Sequence, residues 1–345
     1  MKKKKFPFLV AEISANHNGS FSNAKKLILT AKKCGADAVK LQTYSPETMT
    51  IKSNNKYFKI NRGLWKGSNL WDLYSKAQTP YKWHKDLFDY AKKIGILCFS
   101  TPYDETAVDF LENLKCPIYK VASFEINDLD LIKKISKTKK PIIISTGMAN
   151  LNQIKKAYDC AKKSGAKDIA LLYCVSSYPA KENDFNINNI KVLKENFDCT
   201  IGFSDHSNND LIAMSAVAAG AEIVEKHIAL DKQKKGFDIQ FSTKGKRLKI
   251  FKENITKTKM IMGKENFVRN NSENFNKRFR RSIFCIKNIK KGEIFTKKNI
   301  KKIRPGFGVL PSYYSNLLNK KSPENISAGN PIKKNILRKL KLKQN

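Results

Sequence analysis

The residues best suited to chemistry sit at the ends of short β-branched runs. Ser204-Asp205-His206 and Glu225-Lys226-His227 each finish such a run with an imidazole, in a chain that has only four histidines. Two imidazoles at equivalent places, with open positions for water and substrate, suit Mn2+, Co2+, Zn2+ or Fe2+. A hydrogen-bonded structural pair is the alternative, and the residues alone leave it open. Of the other two histidines, His84 is expected on a helix surface and His17 in a loop with no assigned role.

A second chemistry comes from Lys40 and Lys120, inside such runs, with the hydroxyls of Thr101, Ser123, Ser145 and Ser204. Ammonium groups neutralise a phosphate while hydroxyls and backbone N–H groups fill its acceptor oxygens. Helix capping is the competing use of the hydroxyls. A strand lysine also raises a Schiff-base aldolase, with Lys120 or Lys226 as nucleophile, which needs an apolar or cationic setting to depress its pKa. Alternation along the strand points Lys226 away from the face shared by Glu225 and His227, which weakens that reading.

These residues need a scaffold that gathers strand ends. Eight runs, at 8–14, 38–44, 97–102, 118–124, 141–147, 169–176, 200–205 and 223–229, alternate with segments of helical spacing. Those segments fall at 23–34, 83–94, 106–114, 129–137, 151–164, 188–197, 211–219 and 247–262. Gly35, Gly95, Gly165 and Gly220 lie just past helix ends, where a residue tolerating positive φ closes the turn. Eight βα units predict a TIM (β/α)8 barrel, whose active site lies at the C-terminal ends of its strands. A doubly wound sheet is the runner-up, but no G-x-G-x-x-G follows the first run.

The stretch 45–80 is too long for an ordinary βα loop and carries Trp65, Trp71 and Tyr74. Their apolar surface suits a ligand, a dimer contact or a cover over the barrel rim. Residues 1–263 are assigned to the barrel, 264–277 to a linker and 278–345 to a small β-rich domain.

Composition narrows the function classes. Sixty-seven Lys and Arg face 30 Asp and Glu, a net charge of +37, yet 41% of the chain is hydrophobic, enough to build a core. No apolar run approaches the roughly 20 residues of a spanning helix, and the apolar run after Lys5 is too short for a signal peptide. A cytoplasmic protein without a membrane segment is expected. The seven scattered cysteines, with no C-x-x-C pair, read as reduced core residues. Lysine is spread over the whole chain, although residues 264–345 hold 22 basic and 4 acidic residues. A solvated coat, with no nucleic-acid partner, is therefore favoured over a basic binding module.

The ordered set of 11–19 (AEISANHNG), Lys40-Leu41-Gln42-Thr43, Phe99-Ser100-Thr101-Pro102, Tyr119-Lys120, Ser145-Thr146-Gly147-Met148, Ser204-Asp205-His206, Glu225-Lys226-His227 and Arg304-Pro305-Gly306 resembles the sialic acid synthase family. The resemblance implies a metal-dependent TIM barrel followed by an antifreeze-like (SAF) domain. It implies condensation of phosphoenolpyruvate with an N-acetylated amino sugar to a nine-carbon 2-keto acid. Residues 63–67, 122–126 and 236–242 resemble the branch that makes pseudaminate, whose sugar is 2,4-diacetamido-2,4,6-trideoxy-L-altrose and whose product decorates flagellin or surface polysaccharide in bacteria.

By that resemblance Glu12 is the catalytic carboxylate. Lys40, Thr101, Lys120, Ser123, Ser145, Tyr178 and Ser204 hold phosphoenolpyruvate, and His206 and His227 hold a divalent metal, Mn2+ first, with Mg2+, Co2+ or Zn2+ as alternatives. Gln42, Glu125, Asp238 and Arg304 face the sugar, with Trp65 assigned there from the aromatic loop. The matching arginine of the family reaches a neighbouring subunit's site, which implies a homodimer domain-swapped through the SAF domain. Ser176 stands where neuraminate synthases tend to have Asn.

Overall fold

All eight β-branched runs form parallel strands in a computed structural model that describes residues 7–342. They are β1 (Phe8–Glu12), β2 (Ala38–Thr43), β3 (Leu97–Pro102), β4 (Tyr119–Val121), β5 (Ile142–Ser145), β6 (Ile169–Cys174), β7 (Thr200–Asp205) and β8 (Ile223–Ala229). Each pairs with the next, and β1 also pairs with β8, so the sheet closes into a barrel. The helices between strands fall within a few residues of the helical spacing, for example Leu129–Lys137 and Arg247–Met262. The chain splits at Gly263 into two compact units, Met1–Gly263 and Lys264–Asn345.

The two-residue period of the strands sorts their side chains. One face sends Leu9, Val39, Leu41 and Val224 into an apolar layer with the helix residues Leu27, Leu87 and Phe251. The other face fills the barrel, apolar at its base and polar toward the C-terminal ends of the strands. Gly202 shows how tight the base is: a Cβ there would stand 2.5 Å from Leu172 Cδ2 and 2.6 Å from the Ile223 carbonyl. Only a residue without a side chain lets β7 close against its neighbours.

The long stretch after β2 is less irregular than its length suggests, with short helices at Pro46–Met49 and Leu70–Ala77. In the second unit, Ser282–Cys285 pairs antiparallel with Ile300–Ile303 over a core that includes Ile283, Phe295, Leu317 and Ile332. A short helix, Asn271–Asn276, occupies part of the expected linker. Among the described residues no helix is long and apolar enough to cross a membrane.

His84 corrects an expectation. It is fully buried rather than on a helix surface, with Nε2 2.8 Å from Thr43 Oγ1 and Nδ1 3.2 Å from the Pro80 carbonyl. Helical spacing placed His84 on the outer face, but the helix Tyr81–Lys93 turns that residue onto the outward hydroxyl of β2. His17 is also buried, 3.2 Å from Thr79 Oγ1 and edge-on to Trp83.

Burial pushes both imidazoles down from 6.5 to about 4. A depressed folded-state value means that their contribution to stability is complete above about 6.5 and is lost as the pH falls through about 4. The thermal unfolding midpoint should therefore decline across that window. His84→Gln, which keeps hydrogen-bonding capacity without the titration, should decline less steeply, and an unchanged slope would contradict this assignment.

Candidate active site

The barrel interior carries a row of alternating charges. Glu12 on β1 lies 2.6 Å from the Lys40 ammonium on β2, Lys40 lies 3.5 Å from Glu225 on β8, and Glu225 lies 3.4 Å from Lys120 on β4. All four side chains are buried, the most exposed at 4%. Parallel register sets two of these residues level, with Glu12 opposite both Lys40 and His227.

The titration of the row follows from position. Burial opposes every charge in it, and each opposite neighbour offsets part of that cost. The inner members have neighbours on both sides. Glu225 is held below the usual carboxylate range because Lys120 and Lys40 together outweigh its burial. Lys40 is raised because Glu12 and Glu225 outweigh its own burial. The end members have one close partner each: burial raises Glu12 despite Lys40, and burial lowers Lys120, with Lys40 adding to the effect against Glu225. The row therefore ends in a carboxylate with strengthened basicity and an ammonium group short of negative charge.

Hydroxyls surround the lysine end. Lys40 Nζ lies 3.1 Å from Thr101 Oγ1, and Ser204 Oγ donates to Glu225 Oε1 at 3.3 Å. Ser145 Oγ on β5 is buried and has no hydrogen-bond partner, and neither has Glu225 Oε2. Ser123 Oγ accepts the Gly147 N–H at 3.2 Å. A Cβ at Gly147 would stand 2.1 Å from Ser176 Oγ and 2.7 Å from Ser123 Oγ, so any side chain there must move these hydroxyls. Buried ammonium groups, unused hydroxyls and close backbone suit an anion such as phosphate.

The two histidines stand at the strand ends, with ring centroids 5.4 Å apart. His206 Nδ1 lies 3.0 Å from the Val175 carbonyl, which only accepts, so Nδ1 carries a proton, and although burial lowers its pKa, Cys174 and that carbonyl outweigh the burial and raise it above the usual imidazole value. His227 Nδ1 is buried without a hydrogen-bond partner, its distance to Asp238 Oδ2 being 3.7 Å. Burial, with His206 and the lysines, pushes the His227 pKa well down and keeps the ring neutral. A neutral imidazole with an unpartnered buried nitrogen, facing a second imidazole, fits a divalent metal once His206 gives up its extra proton to the solvent. Among the described residues no group of three or more His, Cys, Asp or Glu is placed to hold a metal ion.

An aromatic wall rises beside them. Tyr178 packs 4.5 Å from His206 and 5.2 Å from Phe241, and Phe241 lies 4.8 Å from His227. Trp65, from the long stretch after β2, packs 5.8 Å from Tyr178 and donates its indole N–H to the Phe237 carbonyl at 3.3 Å. Asp238 and Glu125 flank the site, and burial raises each carboxyl to about 7. Gln42 is half-buried on β2, two residues beyond Lys40 on the same face, opposite Thr101 in register.

The barrel thus gathers every expected residue of residues 1–263, while Arg304 belongs to the second unit, exposed just after Ile300–Ile303. Lys226 points the other way, to the helix side, and pairs with Asp205 at 3.0 Å. Glu225 was not among the expected site residues. Its signal was present, two positions before His227 and therefore on the same face of the strand. Cys174, buried with Sγ 3.7 Å from His206 Nδ1, gave no such signal.

The chain is similar to known proteins. The chain matches the NeuB family over residues 27–267 and the SAF domain over residues 280–338. It is 40% identical over 331 residues to a pseudaminic acid synthase of Campylobacter jejuni subsp. jejuni, covering 96% of each chain. It is 42% identical to the pseudaminic acid synthase of Helicobacter pylori, covering 94% of this chain and 96% of that one. The crystal structure of N-acetylneuraminic acid synthetase from Leptospira borgpetersenii superposes with a TM-score of 0.71 at 31% identity, over 78% of this chain and 90% of that one.

The anion assignment is testable without turnover. Gly147→Ala must displace Ser123 and Ser176, so calorimetric titration with inorganic phosphate should show binding weakened roughly 10-fold or more, the scale of one charge-assisted hydrogen bond. Unchanged phosphate affinity would place the anion elsewhere.

Proposed function

The chain belongs to the NeuB family, and from that membership we propose that it condenses phosphoenolpyruvate with 2,4-diacetamido-2,4,6-trideoxy-L-altrose to give pseudaminate and phosphate. It is a carbon–carbon bond-forming transferase. The observation that carries the chemistry is the charge row, with a base at one end and an anion-binding lysine at the other. The sugar assignment is supported by about 40% identity to pseudaminic acid synthases over nearly the whole chain. The alternative sugars are those of N-acetylneuraminate and legionaminate synthases.

The residues divide the work by position. Lys40 and Lys120 neutralise the phosphate of the enol ester, with Thr101, Ser123, Ser145 and Ser204 donating to its oxygens and Tyr178 toward its carboxylate. A divalent ion held by His206 and His227, Mn2+ by preference, supplies Lewis-acid polarisation of the open-chain aldehyde when bound. The enol methylene carbon forms the new bond to the aldehyde carbon, whose oxygen becomes an alkoxide. Water then adds to the cationic C2, and Glu12, made more basic by burial, takes the proton that water loses and passes it to the alkoxide. Cleavage of the C–O bond leaves the ketone, and phosphate departs toward the lysines with the bridging oxygen and the proton of the C2 hydroxyl.

Asp238 and Glu125, at about 7, are partly protonated near neutrality and can both donate to and accept from the sugar. Trp65 and Tyr178 cover apolar methyl and acetamido surface. With phosphoenolpyruvate and the sugar as its partners, the enzyme works in the cytoplasm as a homodimer, and the product supplies surface glycans. Lys120 has the lowered pKa that a Schiff-base lysine needs, and borohydride trapping with pyruvate distinguishes that second reading.

Purified enzyme given phosphoenolpyruvate, Mn2+ and each candidate sugar tests the assignment. The altrose derivative should give the highest kcat/KM, and preference for N-acetylmannosamine would move the protein to the neuraminate branch. Glu12→Gln should lower turnover roughly 10²–10⁴-fold with substrate binding kept, the range for a positioned base. Arg304→Ala should weaken sugar use. Mixing the two variant chains should restore part of the activity if Arg304 serves a partner's barrel, whereas no recovery after proven subunit exchange argues against the swap.

A further inference from the structure

Lys226 is one of the buried charged groups that the reaction leaves unused, and its contacts converge on the metal-binding end of the barrel. We propose that Lys226 is a positioning residue whose ammonium group ties together the two strand ends that carry His206 and His227, and so sets the spacing of the two imidazoles. This proposal rests on the reading of those histidines as metal ligands.

β7 and β8 are adjacent and parallel, with Asp205 opposite Lys226 in register. One residue further along each strand come the two histidines. Because side chains alternate, Asp205 and Lys226 lie on the helix side when His227 faces the interior. There, Lys226 Nζ donates to Asp205 Oδ2 at 3.0 Å and to the Ser207 carbonyl, and lies 5.9 Å from the ring centre of Phe251. Asp205 Oδ1 in turn accepts the Ser207 N–H at 2.8 Å. His206 is thus bracketed by two residues that are both held by Lys226, and Lys226 itself is the neighbour of His227.

The surroundings make a merely structural role a poor explanation. Asp205 is 0% exposed and Lys226 3% exposed, in a layer otherwise built from residues such as Val224, Leu248 and Phe251. Apolar side chains of similar volume fill such a layer without the desolvation cost of two ions. What an apolar pair cannot supply is directed bonding to the carbonyl and N–H of the turn after His206. A metal site is sensitive to that kind of second layer, whose loss typically weakens affinity 10–100-fold.

The test is Mn2+ binding to the full-length chain stripped of metal, read as free Mn2+ by electron paramagnetic resonance, alongside the thermal midpoint and activity against Mn2+ concentration. The variants are Lys226→Met, the double change Lys226→Met with Asp205→Asn, and His206→Ala. The double change removes both charges, so no buried ion is left unpaired if the single variant misfolds. The expected result is a folded double variant that binds Mn2+ 10–100-fold more weakly than the parent and recovers turnover as Mn2+ is raised. Wild-type Mn2+ affinity in the folded double variant, whatever its thermal midpoint, overturns the proposal. Equal Mn2+ binding by the parent and His206→Ala refutes the metal reading instead, and the proposal falls with it.

Discussion

Four charges cannot be buried in a barrel unless they balance, and the row Glu12–Lys40–Glu225–Lys120 is how this barrel achieves it. Each ion in such a place pays several kcal/mol of lost hydration, so neighbours of opposite sign are a condition of the fold and not an ornament. Balance is complete only in the middle of the row. The ends are unequal, a carboxyl pushed up and an ammonium group pushed down. In the proposed reaction an incoming phosphate would supply the charge that Lys120 lacks, and Glu12 would receive a proton.

Closure of the sheet is what turns separate strands into that row. Glu12 and Lys40 are level neighbours, but Glu225 reaches them only because β8 pairs back onto β1. The close approach at Gly202 and at Gly147 serves the same end, one tightening the base and the other bringing backbone N–H to the polar mouth. The same strand period gives the helix side its own polar feature. Lys226 and Asp205 occupy the outward positions beside the inward Glu225, His227 and Ser204, so two adjacent strands carry charged groups on both faces.

Local pattern was enough to read the eight strands, their helices and the inward polar residues at their ends. It failed where a residue's meaning depended on a partner far away in the chain. Glu225 shares a face with His227, but its role became visible only with Lys40 and Lys120 beside it, which requires the register of three strands. His84 looked like a helix-surface residue because helical spacing cannot show an outward hydroxyl, Thr43, waiting on the sheet. Trp65 was legible only as an aromatic to be covered by a ligand, a dimer contact or the barrel rim, whereas its hydrogen bond to the Phe237 carbonyl joins segments 172 residues apart. For Arg304 the motif names a chemistry, and its place in the second unit leaves that chemistry to be tested in solution.

Lys120 is the end of the row proposed to receive the substrate's phosphate. Calorimetric titration of phosphoenolpyruvate into Lys120→Met measures this directly, with the sugar KM as the control. The account predicts affinity for phosphoenolpyruvate lowered roughly 10–100-fold, the worth of a hydrogen bond to a charged group, with the sugar KM little changed. Phosphoenolpyruvate bound as tightly as by the parent enzyme would contradict it.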